Sequence, residues 1–201
     1  MSNYALARRT QSKRITNDSK SKISDVALNL FTQKGIKSTT TKEIAKRAGI
    51  AEGTIYKHFK SKDDIALELF ISKMDLFREK LLENTRSFDN SKDILRSLIQ
   101  AFFYFAKNHP KDYSFIMESH RTELKKVSRE RGKPKDIFVD VIRSGMQKQE
   151  FREMDENLGA ALVIGMVTRT ILFFNNGLIG SDYNKVISDV SDAALKVLES
   201  Q

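Results

Sequence analysis

Apolar residues in the first third of the chain recur at helical intervals. Ile23, Ala27, Leu30 and Phe31 stand at i, i+4, i+7 and i+8, and Gly35 follows where such a helix would stop. The spacing predicts a helix over roughly residues 19–34. Thr40 then precedes Glu43 by three positions, the signature of a capping box in which the hydroxyl accepts from the third amide and the carboxylate returns the bond. A short helix with Ile44, Ala45 and Ala48 inward is predicted there. Gly49 ends it by supplying the left-handed conformation of a tight turn, Ile50 anchors that turn, and a second short helix over about residues 52–59 follows. Ser61 to Asp64 form another capping pattern, after which Ile65, Leu69, Met74, Phe77 and Leu81 carry one long helix to about residue 84.

Downstream, Ile94, Leu98, Ala101 and Phe105 mark a further helix, and Pro110 and Pro134 each suit a first helical turn, where a missing amide costs nothing. Residues 157–175 are apolar almost all round, whereas residues 181–199 confine Tyr183, Val186, Ile187, Val190, Ala194, Val197 and Leu198 to one stripe. With two prolines and nine glycines in 201 residues, the turns of an all-β chain are missing, and an all-α fold is expected. The apolar run 158–174 is short for a membrane span and contains Arg169, and residues 1–16 lack the apolar centre of a secretory signal. A cytoplasmic protein without a membrane partner is expected.

Charge adds an asymmetry. Of the net +9, residues 1–62 hold 14 Lys and Arg against 4 Asp and Glu, while the remainder holds 21 against 22. The asymmetry suggests a first third that faces a polyanion, with nucleic acid and an anionic membrane surface as the candidates, and a remainder that is electrostatically ordinary. The absence of cysteine excludes disulfides, thiolate metal sites and a cysteine nucleophile. The three histidines, His58, His109 and His120, fall in no H-E-x-x-H or paired E-x-x-H pattern, and neither a G-x-S-x-G elbow nor a phosphate-binding glycine loop occurs. Neither an enzyme nor a bound metal or cofactor is expected.

Two short helices joined by a glycine turn, preceded by a third and strongly basic, have the anatomy of a helix-turn-helix reader of double-stranded DNA. On the second short helix Ile55 and Phe59 share an inward face, leaving Gly53, Thr54, Tyr56, Lys57 and the preceding Ala51 outward, small enough at the N-terminal end to enter a major groove.

The run Ala27, Leu30-Phe31, Gly35, Thr39-Thr40-Thr41, Ile44-Ala45, Ala48-Gly49-Ile50 and Gly53-Thr54-Ile55-Tyr56-Lys57-His58-Phe59-Lys60-Ser61-Lys62 resembles the DNA-binding region of the TetR family of bacterial transcriptional regulators, over about residues 23–69. The resemblance implies a helix-turn-helix domain at 17–62 behind a basic flexible tail at 1–16. A long helix would join it to a larger helical effector-binding and dimerisation domain at 63–201. It implies phosphate contacts for Thr40, Thr41, Thr54, Tyr56 and His58, a base or phosphate contact for Lys42, and a place for Lys62 at the start of the long helix. Ala51, Glu52, Gly53 and Lys57 occupy positions that vary with operator sequence; Lys57 suits a guanine and Glu52 a cytosine amino group. Each residue has a plainer reading: Glu52 complements the helix dipole, and His58 packs beside Phe59. Ala51 departs from the serine that often caps this helix, giving up about 1 kcal/mol.

The closing helices carry more apolar surface than one edge of a monomer needs. Leu158, Leu162, Gly165, Val186, Val190, Ala194 and Val197 are therefore expected in a homodimer interface. Between the DNA reader and that interface the resemblance implies a cavity for a small hydrophobic or amphipathic effector, with Phe105, Met117, Met166 and Phe173 as apolar lining and His120, Arg121 and Arg169 as polar groups. For Arg169 a salt bridge, internal or between subunits, is the competing reading. The function so implied is a ligand-responsive repressor on a pseudo-palindromic operator. An activator, a ligand-independent regulator and a basic helical adaptor without sequence preference are the alternatives.

Overall fold

A computed structural model describes residues 3–83, 85–128 and 131–199, with side chains from residue 18 onward except those of Arg86 and Arg121. Among these residues the protein is helical, without strands. Helix α1 spans Asn3–Ser38, α2 Thr41–Ala48, α3 Glu52–Ile55, α4 Lys62–Leu82, α5 Ser91–Asn108, α6 Pro110–Glu123, α7 Pro134–Gln147, α8 Glu156–Asn175 and α9 Tyr183–Leu198, with short 3-10 turns at Thr85–Ser87 and Leu124–Lys126. α1 starts well before the expected residue 19, so the flexible tail expected at 1–16 is helical from Asn3. The cause is local: Ala5, Leu6, Ala7, Arg8, Arg9, Gln11, Lys13 and Arg14 are good helix formers, and no glycine or proline interrupts them before Gly35. Gly35 breaks the helical dihedrals there with φ +81° and ψ 159°.

The chain forms two compact units, Met1–Ser72 with Ser114–Val127, and Lys73–Tyr113 with Ser128–Gln201. In the first, Ile23, Ala27, Leu30, Phe31, Ile44, Ile55, Phe59, Ile65 and Phe70 are buried. Most of α6 belongs with them because Phe115 stacks on Phe31, ring centroids 6.1 Å apart, and Ile116 is buried beside it. The sequence division at residue 63 had assigned α6 wholly to the second part.

In the second unit α5 touches α7, α8 and α9. Phe77 packs on Phe102 and Phe105 at 4.7 and 4.5 Å, and burial pushes the Tyr113 and Tyr183 hydroxyls up to about 12. The chain leaving α7 folds back: the amides of Glu150 and Phe151 both donate to the Gly145 carbonyl, at 2.8 and 3.1 Å. The Phe151 ring then lies where a side chain at 145 would stand, its nearest carbon 2.1 Å from a β-carbon built there, so only glycine fits.

α8 and α9 separate two faces that the sequence had treated alike. On α8, Gly159, Ala160, Val163, Val167 and Ile171 are buried, and the helix contacts α5, α7 and α9. Its length and composition alone would suit a membrane crossing. The opposite face points out, with Leu158 53%, Leu162 40%, Leu172 46% and Phe173 43% exposed, and Gly165 lies open on it. The stripe of α9 turns inward. Val186 and Ala194, expected at a dimer interface, are 5% and 0% exposed in the core of their own unit, and Val190 and Val197 are half-buried. The reason is width: α9 has one apolar face, spent against α5 and α8, whereas α8 is apolar enough to leave a second.

Candidate nucleic-acid interface

The Thr40 hydroxyl accepts from the Glu43 amide at 3.2 Å and caps α2. The reciprocal half of the expected box is replaced, because the Glu43 carboxylate meets Lys34 and, at 3.5 Å, Arg47. Gly49 closes the helix at φ +66° and ψ 35°, with its own amide directed to the Lys46 carbonyl and the Ile50 amide to that of Ala45, at 3.3 and 3.1 Å.

α3 is shorter than the sequence suggested, ending at Ile55 in place of residue 59. Gly53 and the β-branched Thr54 and Ile55 are weak helix formers, and Ala51 provides no side-chain cap. The chain nevertheless keeps turning, since the amides of His58 and Phe59 both donate to the Ile55 carbonyl at 2.9 Å. Ile55 and Phe59 are buried, as their spacing required. Ala51, Glu52, Gly53, Tyr56 and Lys57 face solvent, Thr54 and His58 are half-buried, and Thr40 and Lys42 on the α2 side are exposed. A β-carbon at Gly53 would meet nothing within 4 Å, so no internal packing demands glycine there; its effect is to keep the outward surface low.

A polar network joins the two helices across the turn. The Thr41 hydroxyl donates to Glu52 Oε1 at 2.7 Å and lies 3.3 Å from the Tyr56 hydroxyl. Glu52 is thus occupied by a neighbouring hydroxyl, a role neither sequence reading had given it. His58 lies beside Phe59, ring centroids 6.4 Å apart. The Lys62 ammonium is also engaged within the protein, donating to the carbonyls of Lys37 at 3.1 Å and Thr39 at 2.7 Å. It ties the first residue of α4 to the segment that enters α2, a function that spacing alone did not reveal. The side chains of Arg8, Arg9, Lys13 and Arg14 lie outside the described residues.

The residues expected around an effector are divided between the two units. Phe105 is buried in the second unit with its ring 5.1 Å from His109, whereas Met117 is half-buried and His120 exposed in the first. Met166 is half-buried; Arg169 stands on the outward face of α8 with its guanidinium 5.8 Å from the exposed Phe173 ring, and among the described residues it makes no internal salt bridge. The Arg121 side chain lies outside the described residues. Among the described residues no cluster of three or more His, Asp or Glu is arranged to hold a metal.

A capped short helix, a left-handed glycine turn and a second short helix with a small polar outward face define a helix-turn-helix DNA-binding protein. Residues 23–69 match the family of bacterial regulatory proteins, tetR family. The fatty acid metabolism regulator protein of Bacillus subtilis is 27% identical over 183 residues, covering 89% of this chain and 92% of that protein. The transcriptional repressor KstR2 of Mycobacterium tuberculosis is 24% identical over 148 residues, covering 71% and 74%. The fold is shared with the fatty acid degradation regulator FadR of Bacillus halodurans, at a TM-score of 0.73 and 21% identity over 91% of this chain and 97% of that one. Residues 23–69 thus carry the DNA-binding region of that family, and along most of its length the chain is similar to transcriptional regulators that contain it.

Proposed function

We propose that the protein is a ligand-responsive repressor that binds a pseudo-palindromic operator as a homodimer. The observation that carries this reading is the outward face of α2 and α3, where small and polar residues stand over a buried Ile55 and Phe59. Thr40, Thr41, Thr54, Tyr56 and His58 contact phosphates and fix the register. Lys42 and Lys57 reach phosphate or base edges, while Ala51 and Gly53 let the backbone approach the groove. Lys62 acts indirectly, by holding the segment before α2.

The exposed stripe of α8, centred on Leu158, Leu162, Gly165, Leu172 and Phe173, is the dimer surface, since a contiguous apolar face of this kind on a monomer seeks a partner. Two-fold symmetry would set the two α3 helices about 34 Å apart, one turn of B-DNA. A small apolar or amphipathic effector releases the operator by favouring the arrangement with the wrong spacing; moving the equilibrium from about 1:99 to 99:1 takes about 5.5 kcal/mol of differential affinity. The naming of the Bacillus subtilis relative for fatty acid metabolism supports an effector of this character.

Selection of sites by the full chain from a pool of random duplexes tests the reading. Enrichment of two inverted half-sites separated by one helical turn is the expected outcome. Uniform affinity for every duplex would refute it in favour of a basic adaptor.

A further inference from the structure

We propose that a cleft bounded by the C-terminal end of α4, the N-terminal end of α5 and the middle of α7 binds a small amphipathic organic anion, and that this is the docking place of the effector. The second clause rests on the regulatory reading; the first does not. The cleft has a volume of about 350 Å³, within the range of small-molecule sites, and lies wholly in the second unit. Leu82, Ile94, Ile137 and Val141 give it apolar walls, and Arg78 and Ser91 give it two polar points of attachment. None of the residues that the sequence had suggested for the effector lines it.

Two features single it out. Ser91 is 1% exposed, and its hydroxyl oxygen has no hydrogen-bond partner, although its amide is taken by Glu150 Oε2 at 2.5 Å. A buried hydroxyl left unsatisfied costs stability, and a ligand oxygen in the cleft would supply the missing partner. Arg78 is the second feature: its guanidinium lies beside Gly132, where a β-carbon would stand in ordinary contact, 3.4 Å from Nε, and its side chain lines the cleft.

The neighbouring carboxylates are engaged elsewhere. Asp75 pairs with Arg131, Glu83 with Lys80, and Asp140, which also lines the cleft, with Arg143 at 2.9 Å. Glu79 lines a neighbouring groove that Arg78 and Leu82 also border. A carboxylate or sulfonate can therefore meet Arg78 while an apolar body fills the walls and a second oxygen reaches Ser91.

Titration of the full chain with two dyes tests the assignment: 8-anilinonaphthalene-1-sulfonate, an apolar body with one anionic group, and N-phenyl-1-naphthylamine, the same body without the charge. Arg78→Ala should weaken the sulfonate about tenfold and the uncharged dye less than about twofold. Val141→Trp, which fills the cleft, should weaken both at least about tenfold. Ser144→Trp plugs the same space from a half-buried position should the first plug not fold. Ser91→Ala should leave the thermal midpoint unchanged or higher while weakening the sulfonate, because the hydroxyl it removes supports nothing in the fold. Wild-type affinity for both dyes in the plugged variants, or equal losses for the two dyes in Arg78→Ala, overturns the site. These titrations contain no DNA, so a protein that fails to select an operator defeats the regulatory reading and leaves the cleft standing.

Discussion

The outward faces of α2–α3 and of α8, proposed to meet DNA and a second copy of the chain, are made of opposite materials. The first exposes glycine, alanine, hydroxyls and lysines over a buried pair of apolar side chains; the second exposes leucine and phenylalanine opposite a buried stripe of its own. A polyanion is met by groups that donate hydrogen bonds and stay hydrated until contact, whereas another protein surface is met by groups that gain from leaving water. The contrast explains why charge is concentrated in the first 62 residues and nearly balanced after them.

Salt separates the two faces most widely. With about ten phosphates neutralised per dimer, operator affinity should fall about 10⁵-fold between about 50 and 200 mM salt, a log–log slope near −9. Dimer dissociation over the same range should change by less than about threefold, because apolar contacts carry it. Anisotropy with a labelled operator and sedimentation of the protein alone measure the two; equal salt dependence would erase the distinction.

Substitution within the apolar face comes next. Leu162→Glu places a charge on the exposed stripe of α8 and should raise the dimer dissociation constant more than about 100-fold, with helicity intact and operator affinity lost in parallel. Ala194→Glu gives the control: at a fully buried position of α9 it should unfold the domain, costing about 3–5 kcal/mol. If Leu162→Glu unfolds the protein while Ala194→Glu leaves it folded as a monomer, the faces of α8 and α9 have been exchanged.

Smaller effects sharpen the DNA side. Thr40→Ala removes the cap of α2 and should cost about 1 kcal/mol of stability, weakening all duplexes alike by several fold. Glu52→Gln removes a negative charge from the DNA-facing surface and loosens its hold on Thr41, so affinity for all duplexes should rise about threefold. A change confined to one base position in a site selection would instead identify Glu52 as a base reader.

Much of the first unit was legible because its signals are local. A threonine three residues before a glutamate, a glycine after an apolar helix and an i, i+4 pair of Ile55 and Phe59 each depend on a few neighbouring residues, and each stands where the pattern put it. The length of α3 was misjudged because the i, i+4 pair persists through a turn that is not regular helix. The helical start of α1 was missed for the opposite reason: without an apolar stripe, only propensity marks it. In the second unit the apolar stripes were correct, but a stripe does not say which neighbour buries it. Val186 and Ala194 found α5 and α8 of the same chain, and Arg78 and Ser91, distant in sequence and unremarkable in type, were placed on one cleft by packing that no local pattern encodes.

Lys62 gives the first unit a mechanical character. Its single ammonium spans from the first residue of α4 to two carbonyls on the approach to α2, and the next residue along, Thr40, is the cap on which α2 is built. A small rotation of that first turn of α4 therefore pulls on a short lever with little slack. The pair of short helices is aimed by a strut, and shortening the strut's grip, as Lys62→Met would, should leave a protein that still folds around its effector but no longer hears it.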